Sequence, residues 1–224
     1  MSRTALLLLA DGRFPAGGHA HSGGAEAAVR AGRVHDAATL EEFCRGRLHT
    51  TGLVAAALAA AASTAADPLP WDEAADARTP APALRATSRK LGRQLMRAAR
   101  TVWPHPTLDR LAEERPRGAH QSVVLGVTAG VAGLGPADAA QAAAYEAISG
   151  PASATVRLLS LDPFEATQVL AHLAAEVDEV VTRAVGAAQR AHLDGAHRLP
   201  AASAPLLDID AEQHAAWPVR LFAS

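Results

Sequence analysis

The chain contains a long uncharged run rich in alanine, TTGLVAAALAAAASTAA, at residues 50–66. Alanine is the strongest helix former, and the run holds only three large aliphatic side chains, Leu53, Val54 and Leu58. A membrane-spanning helix is richer in large apolar residues, so the run predicts a helix buried in a protein core. Because aromatic residues make up only 4% of the chain and β-branched residues are sparse, we expect an all-α fold.

Size, charge and cysteine content narrow the class of protein further. The 224 residues can bury a substantial core, and a net charge of −2 is too balanced for a protein that coats nucleic acid or a membrane surface. The single cysteine, Cys44, excludes an internal disulfide framework and a cysteine-rich metal site. The LLLLA run at residues 6–10 is too short for a signal peptide, so we expect a cytoplasmic protein.

Apolar residues at steps of three and four predict most of the helices. The longest pattern begins at Asp36 and continues through Leu40, Cys44, Leu48 and Leu58. Other predicted helices cover residues 6–9, residues 25–30 between an N-cap at Ser22 and a stop at Gly32, residues 71–77, and segments that begin at Pro136 and Glu165. Pro151 should kink or divide its helix, and Gly126, Gly130 and Gly133 indicate close contact with a neighbouring helix.

One predicted helix has two distinct faces. Its apolar face carries Leu84, Ser88, Leu91, Leu95, Ala98, Ala99 and Val102, and its basic face carries Arg85, Arg89, Arg93, Arg97 and Arg100. Such a basic face could contact phosphate or an acidic protein surface, and the alternative is a simple solvated face.

Helical periodicity fades after Gly195, where Pro200, Pro205 and Pro218 appear. The ending PLLDIDAEQHAAWPVRLFAS is nevertheless too apolar for a disordered tail, so it should dock on its own domain or on a partner. The simplest organisation is a single-domain helical bundle over residues 1–199 with Pro/Gly-rich connectors. Residues 200–224 then form a C-terminal docking tail.

The stretch FPAGGHAHSGGAEAAV, residues 14–29, raises the question of a binding site. No strand precedes its glycines and no lysine follows them, which excludes a phosphate-binding loop. His19 and His21 are weak candidates for metal ligands, because two histidines are too few for a closed site and the loop itself holds no Asp, Glu or Cys as a third ligand. Ordinary loop histidines are the alternative. Cys44, Ser22 and the Glu113–Glu114 pair do not assemble a catalytic set, so we expect no enzyme.

Several motifs, in their order and spacing, resemble the UreF family of urease accessory proteins. The resemblance covers the chain nearly from end to end. It runs through SRKLGRQL with Arg89 and Gly92, and through YEAISGPASATVRLLSL with Tyr145, Val156 and Arg157. It also includes Pro15, Gly17, Gly18, His21, Ser22, Gly24 and Glu26 near the start, and Pro205, Asp208, His214, Arg220, Leu221, Phe222 and Ser224 at the end.

This resemblance implies an all-α homodimer that works as a non-enzymatic scaffold. The implied partners are UreD, also called UreH, the GTPase UreG, whose activity the chain could modulate, and apo-urease. Nickel would pass through the complex, with no cofactor held stably by this chain. The implied partner-binding residues are Arg89 and those named at the two ends, apart from Ser224. A nickel carrier that uses His19 and His21 is the alternative function.

Overall fold

The computed structural model describes residues 4–12 and 14–223, so Ser224 lies outside the described residues. Helices make up the regular structure of that part of the chain, and the all-α, single-domain fold class is confirmed. The helices are α1 Thr4–Ala10, α2 Ala25–Arg30, α3 Ala37–Arg47, α4 Leu53–Ser63, α5 Leu69–Ala77, α6 Pro82–Val102, α7 Pro106–Glu114, α8 Gln121–Val131, α9 Pro136–Leu159, α10 Pro163–His172, α11 Ala174–Asp194 and α12 Pro205–Ala215.

The alanine-rich helix α4 lies at the centre, packed between α8, α9 and α11. A Cβ atom added at Gly126 would lie 2.2 Å from the Ala59 carbonyl oxygen, and one at Gly130 would lie 2.0 Å from that of Ser63. Two backbones can approach this closely only where side chains are absent, as the sequence predicts for these two glycines. Gly133 has a different role, because it takes a φ of 79° just after the end of α8.

The long helix predicted from Asp36 is not continuous. Asp36 is the N-cap of α3, and its carboxylate accepts a hydrogen bond from the Thr39 backbone N–H at 2.8 Å. A π-helical turn, Leu48–Gly52, then separates α3 from α4. The apolar spacing continues across this turn because Leu48 stays fully buried.

Two further predictions about helices are wrong in detail. The segment from Glu165 forms two helices, because the chain turns at the fully buried Leu173 between α10 and α11. Val102, predicted on the apolar face of α6, is 48% exposed because it lies in the last turn, where α6 leaves the core. Among the described helices, none combines the length and apolar character that crossing a membrane requires.

Helix α9 continues through Pro151 instead of dividing there. Proline has no N–H group, so the carbonyl of Ala147, four residues earlier, lacks its helical donor. The Nε of Arg47 donates to that carbonyl at 3.0 Å. The same guanidinium donates through NH1 to the Gly23 carbonyl at 2.6 Å, so Arg47 fastens the glycine-rich stretch to α9.

Candidate functional site

The glycine-rich stretch is a tight loop before α2. Gly24, with a φ of 91°, is the N-cap of α2, so the prediction that Ser22 occupies this position is wrong. The Ser22 hydroxyl still accepts a hydrogen bond from the Glu26 N–H at 3.3 Å in the first turn. Gly17 has a φ of 80°, and a Cβ there would lie 1.7 Å from the Gln94 side-chain oxygen on α6. Glycine is therefore required at both positions.

Glu26 joins the two ends of the chain. Its buried carboxylate lies 2.8 Å from Nε2 of His214 on α12. It also accepts hydrogen bonds from the backbone N–H groups of Leu221, at 2.7 Å, and Phe222, at 3.1 Å. The N–H of Ala223 donates to the Ala20 carbonyl at 2.8 Å, so the last described residues lie along the N-terminal loop.

These donors keep the Glu26 carboxylate charged although it is buried. Burial by itself raises the pKa of a carboxyl group. The hydrogen bonds from His214, Leu221 and Phe222, together with the His214 charge, outweigh burial and lower the pKa of Glu26 below its ordinary value. The carboxylate therefore anchors the C-terminal segment at neutral pH.

The acidic side chains of α12 attach this helix to its own domain. Glu212 accepts a hydrogen bond from the Ala83 backbone N–H at 2.8 Å, and Asp208 accepts one from the backbone of Ala81. Both donors belong to the beginning of α6, where backbone N–H groups lack helical partners and negative charge is favoured. Asp210, on the buried side of α12, forms an ion pair with Arg33.

Two arginine–aromatic contacts hold the residues that follow α12. The Arg30 guanidinium lies 4.1 Å from the centre of the Trp217 ring, and that of Arg157 lies 4.8 Å from the Phe222 ring. Phe222 is only 5% exposed, whereas its neighbours Leu221 and Val219 are 67% and 79% exposed. The segment thus buries one aromatic anchor and presents aliphatic side chains outward.

We call residues 15–24 and 205–223 together the terminal surface. Of the residues expected to bind partners, this surface presents Pro15, Pro205, Arg220 and Leu221 to solvent. Within it, His21, Ser22, His214 and Phe222 are buried, and Gly17, Gly18, Gly24 and Asp208 are half-buried. Glu26, which follows the first of the two segments, is also buried. Exposed aliphatic residues complete the outer face of the terminal surface: Leu206, Ile209, Val219 and Leu221. The buried members support the surface, and the exposed members are available for contact.

A cavity of about 730 Å³ is bounded by the N-terminal loop, α4, α6, α9 and α12. Arg47, Glu146 and Arg157 contribute charged groups to its lining. Desolvation raises the pKa of Glu146, although a hydrogen bond from Gln121 and the Arg47 charge lower it in part. The α9 motif of the UreF resemblance therefore supplies one wall of this cavity.

The two loop histidines lie in different environments. His19 is exposed, whereas His21 is buried, and its pKa is lowered to about 4 by burial and by the positive charges of Lys90 and His19. Within residues 4–12 and 14–223, no three histidine, cysteine, aspartate or glutamate side chains converge on a metal-binding geometry. It is the comparisons with known proteins, reported below, that do not favour the nickel-carrier hypothesis.

Arg89 is placed elsewhere, between α5, α6 and the α7–α8 connection. Its guanidinium bonds to Asp72 at 3.3 Å, to Asp76 at 2.7 Å and to the Gly118 carbonyl at 2.8 Å. Asp72 is fully buried and also accepts from the His120 backbone N–H at 2.7 Å. Arg89 thus joins helices within the domain and is not part of an open basic face.

Sequence reasoning missed Arg47, although a signal for it existed. A proline inside a helix leaves a carbonyl that needs an outside donor, and the structure supplies Arg47. Sequence reasoning was correct about Cys44, a buried residue whose thiol pKa is raised to about 12 by burial. Glu113 and Glu114 are exposed, as expected for solvated residues.

Comparisons with known proteins identify relatives along the whole chain. The UreF family model matches residues 34–174. Urease accessory protein UreF of Mycolicibacterium vanbaalenii is 40% identical, with 100% of this chain and 99% of the relative covered. The UreF proteins of Mycobacterium sp. (strain JLS) and Mycobacterium tuberculosis are 42% and 41% identical and cover 99% and 95% of this chain, with 98% and 94% of their own lengths aligned. The chain therefore belongs to the UreF family of urease accessory proteins.

Proposed function

We propose that this chain is a non-catalytic scaffold in the maturation of the urease nickel centre. It acts in the cytoplasm as a homodimer that bridges UreD/UreH and the GTPase UreG, modulates that GTPase, and delivers the assembly to apo-urease. Membership of the UreF family supports the role in urease maturation. Nickel is the cargo of the assembly in this proposal, and no resident cofactor is assigned to the chain.

The observation that carries the proposal is the joining of both chain ends at Glu26. One buried carboxylate fixes the N-terminal loop and the C-terminal segment to each other. The surface built in this way presents four aliphatic side chains, each more than half exposed, to solvent: Leu206, Ile209, Val219 and Leu221. An outward apolar group on a fixed support is typical of a protein-binding surface. We assign UreD/UreH to it.

Co-purification tests this assignment. We expect tagged wild-type chain to retain UreD and, through the complex, UreG. A variant with Leu206→Glu and Leu221→Glu should lose UreD by about tenfold or more, because each carboxylate would be desolvated against the partner. Leu193→Glu is the matched control, since Leu193 is 85% exposed at the end of α11 and belongs to neither segment of the terminal surface.

Two results would contradict the proposal. If neither UreD nor UreG associates with wild-type chain under any nucleotide condition, the scaffold role is wrong. If Leu193→Glu weakens retention as much as the double variant does, the terminal surface is not the docking site. Circular dichroism of each variant shows whether the helices are retained.

A further inference from the structure

A second, smaller cleft lies between α6, α7 and the connection to α8. Its volume is about 120 Å³, and it shares no lining residue with the large cavity. Four arginines line it, Arg93, Arg97 and Arg100 from α6 and Arg115 from the α7–α8 connection. The cleft is therefore a concentrated positive site in a chain whose net charge is −2.

Two of these arginines are neutralised within the fold, and two are not. Arg100 bonds to Asp109 at 2.6 Å, and Arg115 bonds to Asp72 at 2.7 Å. Arg93 and Arg97 are exposed, and neither guanidinium has an ion pair or hydrogen bond with any residue that the structure describes. Like charges four residues apart on a helix repel each other, so the pair would be stabilised by an anion from outside the chain.

The lining of the cleft favours the binding of carboxylate side chains. Met96, Leu111 and Ala119 give it an apolar floor beside the guanidinium groups. The connection lies tightly against α6, because a Cβ at Gly118 would be 2.2 Å from the Arg89 carbonyl oxygen. A guanidinium binds a carboxylate through two parallel hydrogen bonds, and the methylene groups of glutamate fit an apolar floor. A nucleic-acid partner would instead favour a strongly basic domain, which this chain is not.

We propose that this arginine cleft docks an acidic segment of a protein partner, with carboxylates bound by Arg93 and Arg97. The site is separate from the terminal surface, so it would give the scaffold a second attachment point of different chemistry. Its failure would leave the proposed function of the terminal surface intact.

Binding of a fluorescein-labelled hexaglutamate peptide to the full chain tests this site, with hexaglutamine as the uncharged control peptide. Replacing Arg93 and Arg97 by glutamine should weaken hexaglutamate binding by about tenfold or more. The matched control, Arg183→Gln with Arg190→Gln, removes two exposed charges from α11 and should leave the affinity unchanged. Added salt should weaken wild-type binding, because the contact is exposed and ionic.

Hydrogen exchange on the wild-type chain gives a readout that does not depend on how the variants fold. Hexaglutamate should slow exchange in residues 93–100 and 111–119, and protection elsewhere would overturn the assignment. Unchanged affinity in the Arg93 and Arg97 variant, or an equal loss in the α11 variant, would also overturn it. If duplex DNA or inorganic phosphate displaces the peptide at lower concentration than hexaglutamate itself, the cleft belongs to a phosphate-bearing ligand and the proposal is wrong.

Discussion

Among single residues, Glu26 is the one that links distant parts of the chain, because three donors from the C-terminal region converge on its carboxylate. Its pKa is lowered in the fold because these hydrogen bonds outweigh burial. The ionised carboxylate therefore stabilises the fold at pH values above the pKa of an unfolded glutamate. This contribution is lost as the pH falls through the lower pKa that Glu26 has in the folded protein. Acid should therefore release the C-terminal segment.

Replacing Glu26 by glutamine should loosen that segment at neutral pH. An amide is uncharged and presents N–H groups where donors already point, so we expect a loss of about 1–3 kcal/mol in local stability. Hydrogen exchange at Leu221–Ala223 should become faster while exchange in α4 stays unchanged. Equal protection of these residues in variant and wild type would show that Glu26 is not the anchor.

His21 should make the stability of the fold depend on pH in a different pH range. Burial first, and then the charges of Lys90 and His19, lower its pKa to about 4 from an ordinary 6.5. The unfolded chain therefore binds a proton at pH values where the folded chain does not, and stability falls as pH drops from 6.5 towards 4. Protonation of His21 can change the free energy of unfolding by at most about 1.4 kcal/mol per pH unit.

Urea unfolding of wild type and His21→Gln at several pH values measures that slope. The free energy of unfolding of the variant should fall less steeply between pH 6.5 and 4. Parallel curves for the two proteins would mean that His21 takes up its proton equally well in both states.

At the scale of helices, the proline in α9 and the arginine in α3 form a complementary pair. Arg47→Met leaves the Ala147 and Gly23 carbonyls without the donor described above and should cost about 1–3 kcal/mol. Pro151→Ala restores a helical N–H for Ala147. The cost of Arg47→Met should therefore be smaller in the Pro151→Ala background.

A double-mutant cycle of unfolding free energies measures this coupling. Additive effects of the two substitutions would contradict the view that Arg47 replaces the N–H group that Pro151 lacks. Thermal melting followed by circular dichroism supplies the four values.

The crossing of α4 and α8 depends on its glycines. Gly126→Ala would place a methyl group against the Ala59 carbonyl and should destabilise the protein by about 1–3 kcal/mol. Gly46→Ala is the control, since a Cβ there meets no atom within 4 Å and alanine favours the helix by about 1 kcal/mol. Chemical denaturation compares them, and equal effects would show that the close approach is unimportant.

The sequence predicted most helices because their apolar spacing is local information. It did not predict the π-helical turn at Leu48–Gly52 or the break at Leu173. In both places the spacing of apolar residues continues, and neither glycine nor proline marks the break at Leu173. Helix periodicity reports which residues face the core, and it is insensitive to a turn that keeps the same face inward.

At the scale of the whole molecule, the meeting of the two chain ends was beyond sequence reasoning. Glu26 and His214 are separated by 188 positions, and no local pattern links one to the other. The family resemblance indicated both residues but did not place them in contact. The resemblance also indicated Arg89, but it did not predict that the Arg89 guanidinium bonds to α5 and to the Gly118 carbonyl.

In the proposed function, the loop near the start and the segment near the end act as one docking surface for UreD/UreH. Hydrogen exchange of the chain with and without UreD measures whether both segments contact this partner. We expect slower exchange in residues 15–24 and 205–223 together, with no change in α8. Protection of only one of the two segments, or protection confined to other helices, would contradict the claim.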